Sequence, residues 1–247
     1  MKKPIVSVKN FHLVIGDKEI VKDLSFDIQP GEVFAFLGAN GSGKTSTIRS
    51  LLGIYQPTSG TLHIDGQSYA PEMARLVGYL PEERGLYTRS SVLDVMVYFG
   101  ELKGLSNVEA KEFSLAYLER VGLSDKAGVK VKKLSGGQQQ KIQLGVAIIG
   151  DPKLLILDEP TKGLDPMNRK LLLDIVDELQ EQGVAVIYVT HLMEEVERLA
   201  DRLLILKDGE ARAYGSVADV KKEFKSKSIE DIFVSIYDEK SSEVAHV

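Results

Sequence analysis

Two carboxylates stand side by side at Asp158 and Glu159, directly after the apolar run Leu154–Leu157 in "KLLILDEPTKGLD", residues 153–165. Charge at the end of a buried strand is costly unless something compensates it. A strand that surfaces into a polar turn at Pro160 would relieve the cost; so would a metal ion and a water held by the two acids. A second stretch, "GANGSGKT" at residues 38–45, fits G-x-x-x-x-G-K-[ST], follows the apolar "VFAFL" and precedes a helical pattern, the context this motif requires. Its glycines let backbone N–H groups turn inward on phosphate oxygens, and the helix N-terminus adds a favourable dipole. Lys44 would reach the β and γ phosphates and Thr45 would ligate Mg²⁺. Gly38, Ala39, Asn40, Gly41, Ser42, Gly43, Lys44, Thr45 and the following Ser46 are therefore candidate nucleotide-binding residues. With glycine at roughly 7% of residues, a chance match arises in about one sequence of this length in a hundred, so a nucleoside triphosphate is the expected ligand. A third stretch, "LSGGQQQK" at residues 134–141, reads on its own as a glycine turn with Ser135 capping the next helix.

The elements that must position these groups are legible in outline. Residues 5–37 read as strands: "IVSVKNFHLVI", then "EIVKDLSFDI" with Ile20, Leu24, Phe26 and Ile28 alternating, then a Pro30-Gly31 turn and "VFAFL". A helix is expected to start after Gly43 and close at Gly53, and Asp65-Gly66 suggests another hairpin. From about residue 86 to 149 the pattern is helical, with Ser106 and Glu109 as a capping-box pair and Phe113, Tyr117, Arg120 and Val121 at amphipathic spacing. Strand-helix alternation returns after Pro152, through "LLIL" and a helix opened by Asp165-Pro166 that presents Leu172, Ile175, Val176 and Leu179 and stops at Gly183. "VAVIYVT" and "RLLIL" are continuous apolar runs, the mark of parallel strands covered on both faces. "SIEDIFVSIY" places Ile229, Ile232, Phe233 and Ile236 at helical spacing, and "DEKSSEVAHV" reads as a frayed polar end.

The expected fold class is α/β: a mostly parallel core sheet flanked by helices, an N-terminal antiparallel β region and an inserted helical subdomain. All of 1–247 is expected to form one domain, its core about 1–85 and 150–225, the helical subdomain about 86–149, and a C-terminal helix and tail 226–247.

Composition narrows the function. Thirty-six acids outnumber 31 Lys and Arg, for a formal charge of −5, and no basic block stands out, which argues against a nucleic-acid surface. The absence of cysteine excludes disulfide and thiol chemistry and fits a reducing compartment. The longest apolar stretches fall far short of the roughly 20 residues that span a bilayer, and the amino terminus lacks a secretory apolar region, so a membrane role is expected to come through a partner.

The order of the motifs is more telling than any one of them. A phosphate loop, then LSGGQ, then an apolar strand ending in Asp158-Glu159, then "TKGLDP", then a strand ending at His191, resembles the motif series of the ATP-binding cassette (ABC) family of P-loop NTPases from about Val6 to Gly215. The resemblance implies an ATP-hydrolysing subunit of a transporter that uses ATP and Mg²⁺. Asp158 is then the second Mg²⁺ partner and Glu159 the general base that polarises the attacking water. His191 is the switch histidine that donates to the γ phosphate. Ser135, Gly136, Gly137 and Gln138 would close over the ATP of a second cassette, either a copy or a relative, with Asp165 coupling the two sites. The other implied partner is a transmembrane permease, which would hold the chain at the cytoplasmic face of the cell membrane; no nucleic acid is implied. "YLPEERGLY" and "SIEDIF" resemble bacterial exporters of drugs and sodium more than importers.

Three positions depart from the family pattern. Glu82 stands where a switch-loop glutamine is usual; a carboxylate there can also ligate Mg²⁺. Ile15 occupies the place of the aromatic residue that commonly stacks on adenine, with Phe11 and His12 nearby as substitutes, so GTP use is open to test. Lys162 replaces the small residue usual before "GLD", and nothing in the sequence accounts for its effect. Two other readings compete. A soluble cassette acting in translation or DNA repair would usually carry a second cassette or long coiled coils. A small-molecule kinase would leave LSGGQ and the helical region unexplained.

Overall fold

A computed structural model describes residues 3–83 and 85–238. The chain forms two compact units, one built from the stretch ending at Ala70 together with the stretch beginning at Ile187, the other from Pro71–Val186.

In the first stretch, β1 (Val6–Ile15) pairs antiparallel with β2 (Lys18–Ile28). Then come β3 (Val33–Leu37), α1 (Lys44–Leu51) and β4 (Ser59–Ile64), which adds to the other edge of β1. The β1–β2 ribbon changes phase midway. In β1 the buried side chains are Val6 and Val8, then Phe11 and Leu13; in β2 they are Val21, then Leu24, Phe26 and Ile28. The cause is a matched pair of left-handed residues, Asn10 (φ 47°) and Asp23 (φ 44°), joined by an Asn10 Nδ2 to Asp23 Oδ1 hydrogen bond of 2.9 Å. An extra residue on each strand shifts the pleat, so Val21 rather than Ile20 enters the core. Asp65-Gly66 does turn the chain, but the pairing beyond it is a single bridge between Ile64 and Gln67 rather than the expected hairpin.

In the unit Pro71–Val186, β5 (Val77–Leu80) lies parallel to a later strand and is followed by α2 (Val92–Leu102), α3 (Asn107–Arg120) and α4 (Gly136–Ile148). Their starts are capped by Ser91, Ser106 and Ser135, the last two as full capping boxes. Lys103, just after α2, donates to the carbonyls of Ala147 (2.7 Å) and Ile149 (3.0 Å) at the end of α4. Next come β6 (Leu154–Asp158), parallel to β5, and α5 (Pro166–Glu181). α4 packs on β5 so closely that a Cβ at Gly78 would sit 2.3 Å from the Ala147 carbonyl oxygen. β7 (Ala185–Val189), buried throughout, crosses the division between the units.

The chain then adds α6 (Met193–Leu199), β8 (Arg202–Lys207), β9 (Glu210–Ser216), α7 (Val217–Glu223) and α8 (Ile229–Asp238) to the first unit. β8 runs parallel to β3 and antiparallel to β9. Ile229, Ile232 and Ile236 of α8 are buried in one apolar cluster with Leu37, Leu203 and Ile205, as their spacing predicts. β9 was not expected; its sequence signal is Asp208-Gly209, both left-handed (φ 52° and 79°), a pair that favours a tight hairpin turn. Within the tail "DEKSSEVAHV" only Asp238 lies among the described residues.

Candidate nucleotide site

The phosphate loop leaves the end of β3 and enters α1. Gly38 (φ 155°) and Gly43 (φ 111°) adopt conformations that L side chains rarely reach. A Cβ at Gly38 would lie 2.5 Å from the Leu206 carbonyl oxygen and one at Gly43 would lie 3.0 Å from that of Ile20, so neither position accepts a side chain without movement. Gly43 is the N-cap of α1 and no side chain caps that end; a helix N-terminus of this kind suits an anion. Lys44 Nζ donates to the carbonyls of Gly38 (2.6 Å) and Ala39 (3.1 Å), which folds its ammonium over the loop. Ala39, Asn40 and Gly41 are exposed, and Thr45 and Ser46 are half-buried in the first turn of α1. A backbone cradle shaped by left-handed glycines, with a lysine across it, suits a polyphosphate.

His191, in the same unit, follows β7 and is exposed. Its turn is braced by a buried polar trio that the sequence reading missed: Tyr188 Oη donates to Glu195 Oε2 at 2.9 Å, and Thr190 Oγ1 donates to the same oxygen at 3.2 Å while accepting from Leu192 N at 3.0 Å. A threonine that ends an apolar run, with a glutamate five residues on, was the available signal. Of the substitutes for an adenine-stacking residue, Phe11 is wholly buried, whereas His12 is half-exposed with Nε2 2.8 Å from Glu19 Oε1. Ile15 itself is exposed.

The acids belong to the other unit. Asp158 is the last residue of β6 and is 3% exposed; Glu159 follows with a left-handed backbone (φ 51°). That turn points the chain into Pro160, whose carbonyl accepts from Gln140 Nε2 of α4 at 2.9 Å. Further along α4, Gln143 Nε2 donates to the Glu83 carbonyl at 3.1 Å. One helix thus supports both the turn after the acids and the loop after β5. Between these turns lies a cleft of about 520 Å³ lined by Glu82, Glu83, Gln140, Glu159, Lys162 and Gly163.

Within that cleft Lys162 Nζ meets Glu82 Oε1 at 2.7 Å. The hydrogen bond to Glu82, its charge and then that of Glu159 hold the Lys162 ammonium above its ordinary pKa. The two departures at 82 and 162 are therefore one ion pair beside Glu159, which supplies the account of Lys162 that its sequence position lacked.

The LSGGQ stretch, the signature of the motif series, lies at the start of α4. Ser135 Oγ accepts from Gln138 N (3.3 Å) and Gln138 Oε1 accepts from Ser135 N (2.9 Å), so Gln138 is occupied in building the helix end. Gly136 and Gly137 open the first turn, and a Cβ at Gly137 would come 3.4 Å from Leu164 Cδ2. Asp165 caps α5, and the Asn168 N–H it accepts at 3.0 Å, followed by the Asn168 side chain, holds its carboxyl below the usual carboxylate range. The structure therefore groups Glu82, Glu159, Lys162 and Gln140 in one cleft, and keeps the phosphate loop and His191 in the unit that holds neither acid.

Comparison with known proteins identifies the family. The ABC transporter family model matches residues 21–162, more than half of the chain. An uncharacterized ABC transporter ATP-binding protein of Methanocaldococcus jannaschii is 43% identical over 88% of this chain and 80% of its own length. The linearmycin resistance ATP-binding protein LnrL of Bacillus subtilis is 38% identical, covering 87% of this chain and 70% of the relative. The Nod factor export ATP-binding protein I of Cupriavidus metallidurans is 38% identical, covering 85% and 71%. A solved structure described as an ATP-binding subunit of an ABC transporter superposes with a TM-score of 0.89 at 28% identity, over 94% of this chain and 99% of that one. The chain belongs to the ABC transporter family. It is an ATP-binding subunit and ATPase of that family, with the expected α/β P-loop fold of antiparallel N-terminal sheet, mostly parallel core sheet and helical insert.

Proposed function

We propose that the chain powers export, hydrolysing ATP with Mg²⁺ and driving a separate transmembrane permease. The observation that carries the hydrolytic part is the cleft that Glu159, aimed by its left-handed backbone just after the buried Asp158, shares with Glu82. Relatives named for Nod factor export and linearmycin resistance support the direction of transport.

The proposed oxygen donors, the Thr45 hydroxyl from one unit and the Asp158 and Glu82 carboxylates from the other, are of the type that suits a hard cation, and Mg²⁺ is usually held by few side chains together with substrate phosphates. When bound, the ion neutralises phosphate charge. The chain's own residues do the rest. Gly38 to Ser46 hold the triphosphate, with Lys44 against its β and γ phosphates. Glu159 takes the proton of the attacking water, and His191 donates a hydrogen bond to the γ phosphate. Ser135, Gly136, Gly137, Gln138 and Asp165 serve the nucleotide of a second subunit, so that two chains close around two ATPs. Residues 1–247 act as a single nucleotide-binding domain, with residues 86–149 as its helical region.

No helix among the described residues is long and apolar enough to cross a membrane; the permease partner brings the chain to the inner face of the membrane. Tagging the chain in its source cells, solubilising membranes gently and identifying what stays bound tests the proposal. An integral membrane protein of several spans is expected; ribosomal or DNA-processing proteins alone would contradict it.

A further inference from the structure

The phosphate loop is tied from outside by the last helix. Tyr237 of α8 places its hydroxyl between two backbone groups. It accepts from the Ala39 N–H, the second residue of the loop, at 2.8 Å, and donates to the Leu206 carbonyl at the end of β8 at 2.7 Å. That same carbonyl faces Gly38, where a Cβ would lie 2.5 Å away. One phenol therefore bridges the loop to the strand it leans on, across 198 residues of sequence.

The ring is fixed for this task. Phe233, one turn earlier, stacks on Tyr237 with centroids 4.5 Å apart. Lys207 lies over the ring, 5.6 Å from its centre, and donates to the Ile236 carbonyl near the end of α8. Ile229, Ile232 and Ile236 seat the helix in the cluster that contains Leu37, the residue before the loop. Burial raises the Tyr237 phenol above its ordinary pKa, so the hydroxyl keeps the proton it donates to Leu206. The β8–β9 turn adds a further tether, Gly209 N to the Ser42 carbonyl at 3.2 Å.

We propose that Tyr237 is a positioning residue for the phosphate loop, through which the seating of α8 sets the affinity for nucleotide. It touches no phosphate itself. The loop must hold its N–H groups inward at fixed spacing, and a backbone amide anchored from outside cannot swing with the exposed Ala39–Gly41 segment. The inference rests on reading residues 38–46 as the phosphate loop.

The test is Tyr237→Phe in the full chain, which removes one oxygen and keeps the ring. Amide hydrogen exchange at residues 38–42 should accelerate, ATP should bind roughly three- to tenfold more weakly, the range set by losing the one of its two hydrogen bonds that reaches the loop, and exchange in β3 and β8 should stay as in the parent. Phe233→Ala should move the same measurements in the same direction. Unchanged loop exchange and unchanged ATP affinity would overturn the inference, as would a uniform acceleration throughout the unit with a fall in melting temperature, which would mark Tyr237 as ordinary packing. Lys44→Ala separates the two readings: if it leaves ATP binding intact, the phosphate-loop assignment fails whatever Tyr237→Phe does to loop exchange.

Discussion

Glu159 sits at φ 51°, a left-handed conformation that costs a residue with a Cβ roughly 1–2 kcal/mol. The chain tolerates that strain where it aims a carboxylate into the cleft, as strained residues at functional sites do. Glu159→Gly should therefore raise unfolding free energy by about 1 kcal/mol while abolishing ATP turnover; loss of stability in chemical denaturation would show that the backbone is not strained there. Glu82 and Lys162 invite a paired experiment. Their ion pair is exposed, so breaking it should leave stability almost unchanged. If Glu82 serves the metal, Glu82→Ala should raise the Mg²⁺ concentration for half-maximal hydrolysis several-fold. Lys162→Ala, which removes a competing cation from that carboxylate, should lower it. A midpoint that moves in neither variant would sink the metal assignment. Phosphate-loop residues could be read from sequence because they are contiguous and their glycines answer one local backbone demand. The Glu82–Lys162 contact joins positions 80 residues apart, and no local spacing reports such a meeting.

The elements fall into those whose own pattern defines them and those fixed by their neighbours. Buried runs such as Leu154–Leu157 and Ala185–Val189 and the capped helices were legible because apolar continuity and Ser, Asp and Pro caps act locally. The phase change in β1 and β2 was not: it depends on Asn10 and Asp23 meeting across the ribbon. β9 escaped because it carries no apolar run or clean alternation, with Ala213 its one buried residue, and only its turn announces it. Lys103 shows how a single side chain joins elements. It satisfies two carbonyls at the end of α4, and burial pulls its ammonium down to about 8. Lys103→Met should cost about 1–3 kcal/mol by stranding those carbonyls. The sign of its pH dependence is also fixed. The unfolded chain, with a lysine near 10.4, binds more protons than the folded one between about pH 8 and 10.4, so this group's contribution to stability rises with pH across that window. Urea unfolding of the parent at pH 8 and pH 10 should show that rise relative to Lys103→Met; an opposite slope would mean the carbonyls hold the ammonium charged.

At the scale of the whole molecule, the compact units divide the chemistry. The phosphate loop, His191 and the Tyr237 tether belong to one, the acids, the Glu82–Lys162 pair and the signature helix to the other. On the proposed roles, each unit holds part of what hydrolysis needs, and the capping box at Ser135 and Gln138 forms a helix end that would serve a neighbouring subunit's nucleotide. The order of motifs along the sequence located these groups, because each motif is local, but not their partition, since the phosphate loop and the acids were both expected in one core. The tether from α8 was not readable, since Tyr237 finds Ala39 only after the sheet has formed. Glu159 as the base and closure of two subunits around bound ATP are the two proposals on which the mechanism depends. Glu159→Gln, run on gel filtration with Mg²⁺ and ATP, measures both at once. The variant should keep ATP unhydrolysed and elute as a dimer; rapid hydrolysis by the variant would rule out Glu159 as the base, and a monomer with ATP bound would rule out ATP-driven closure.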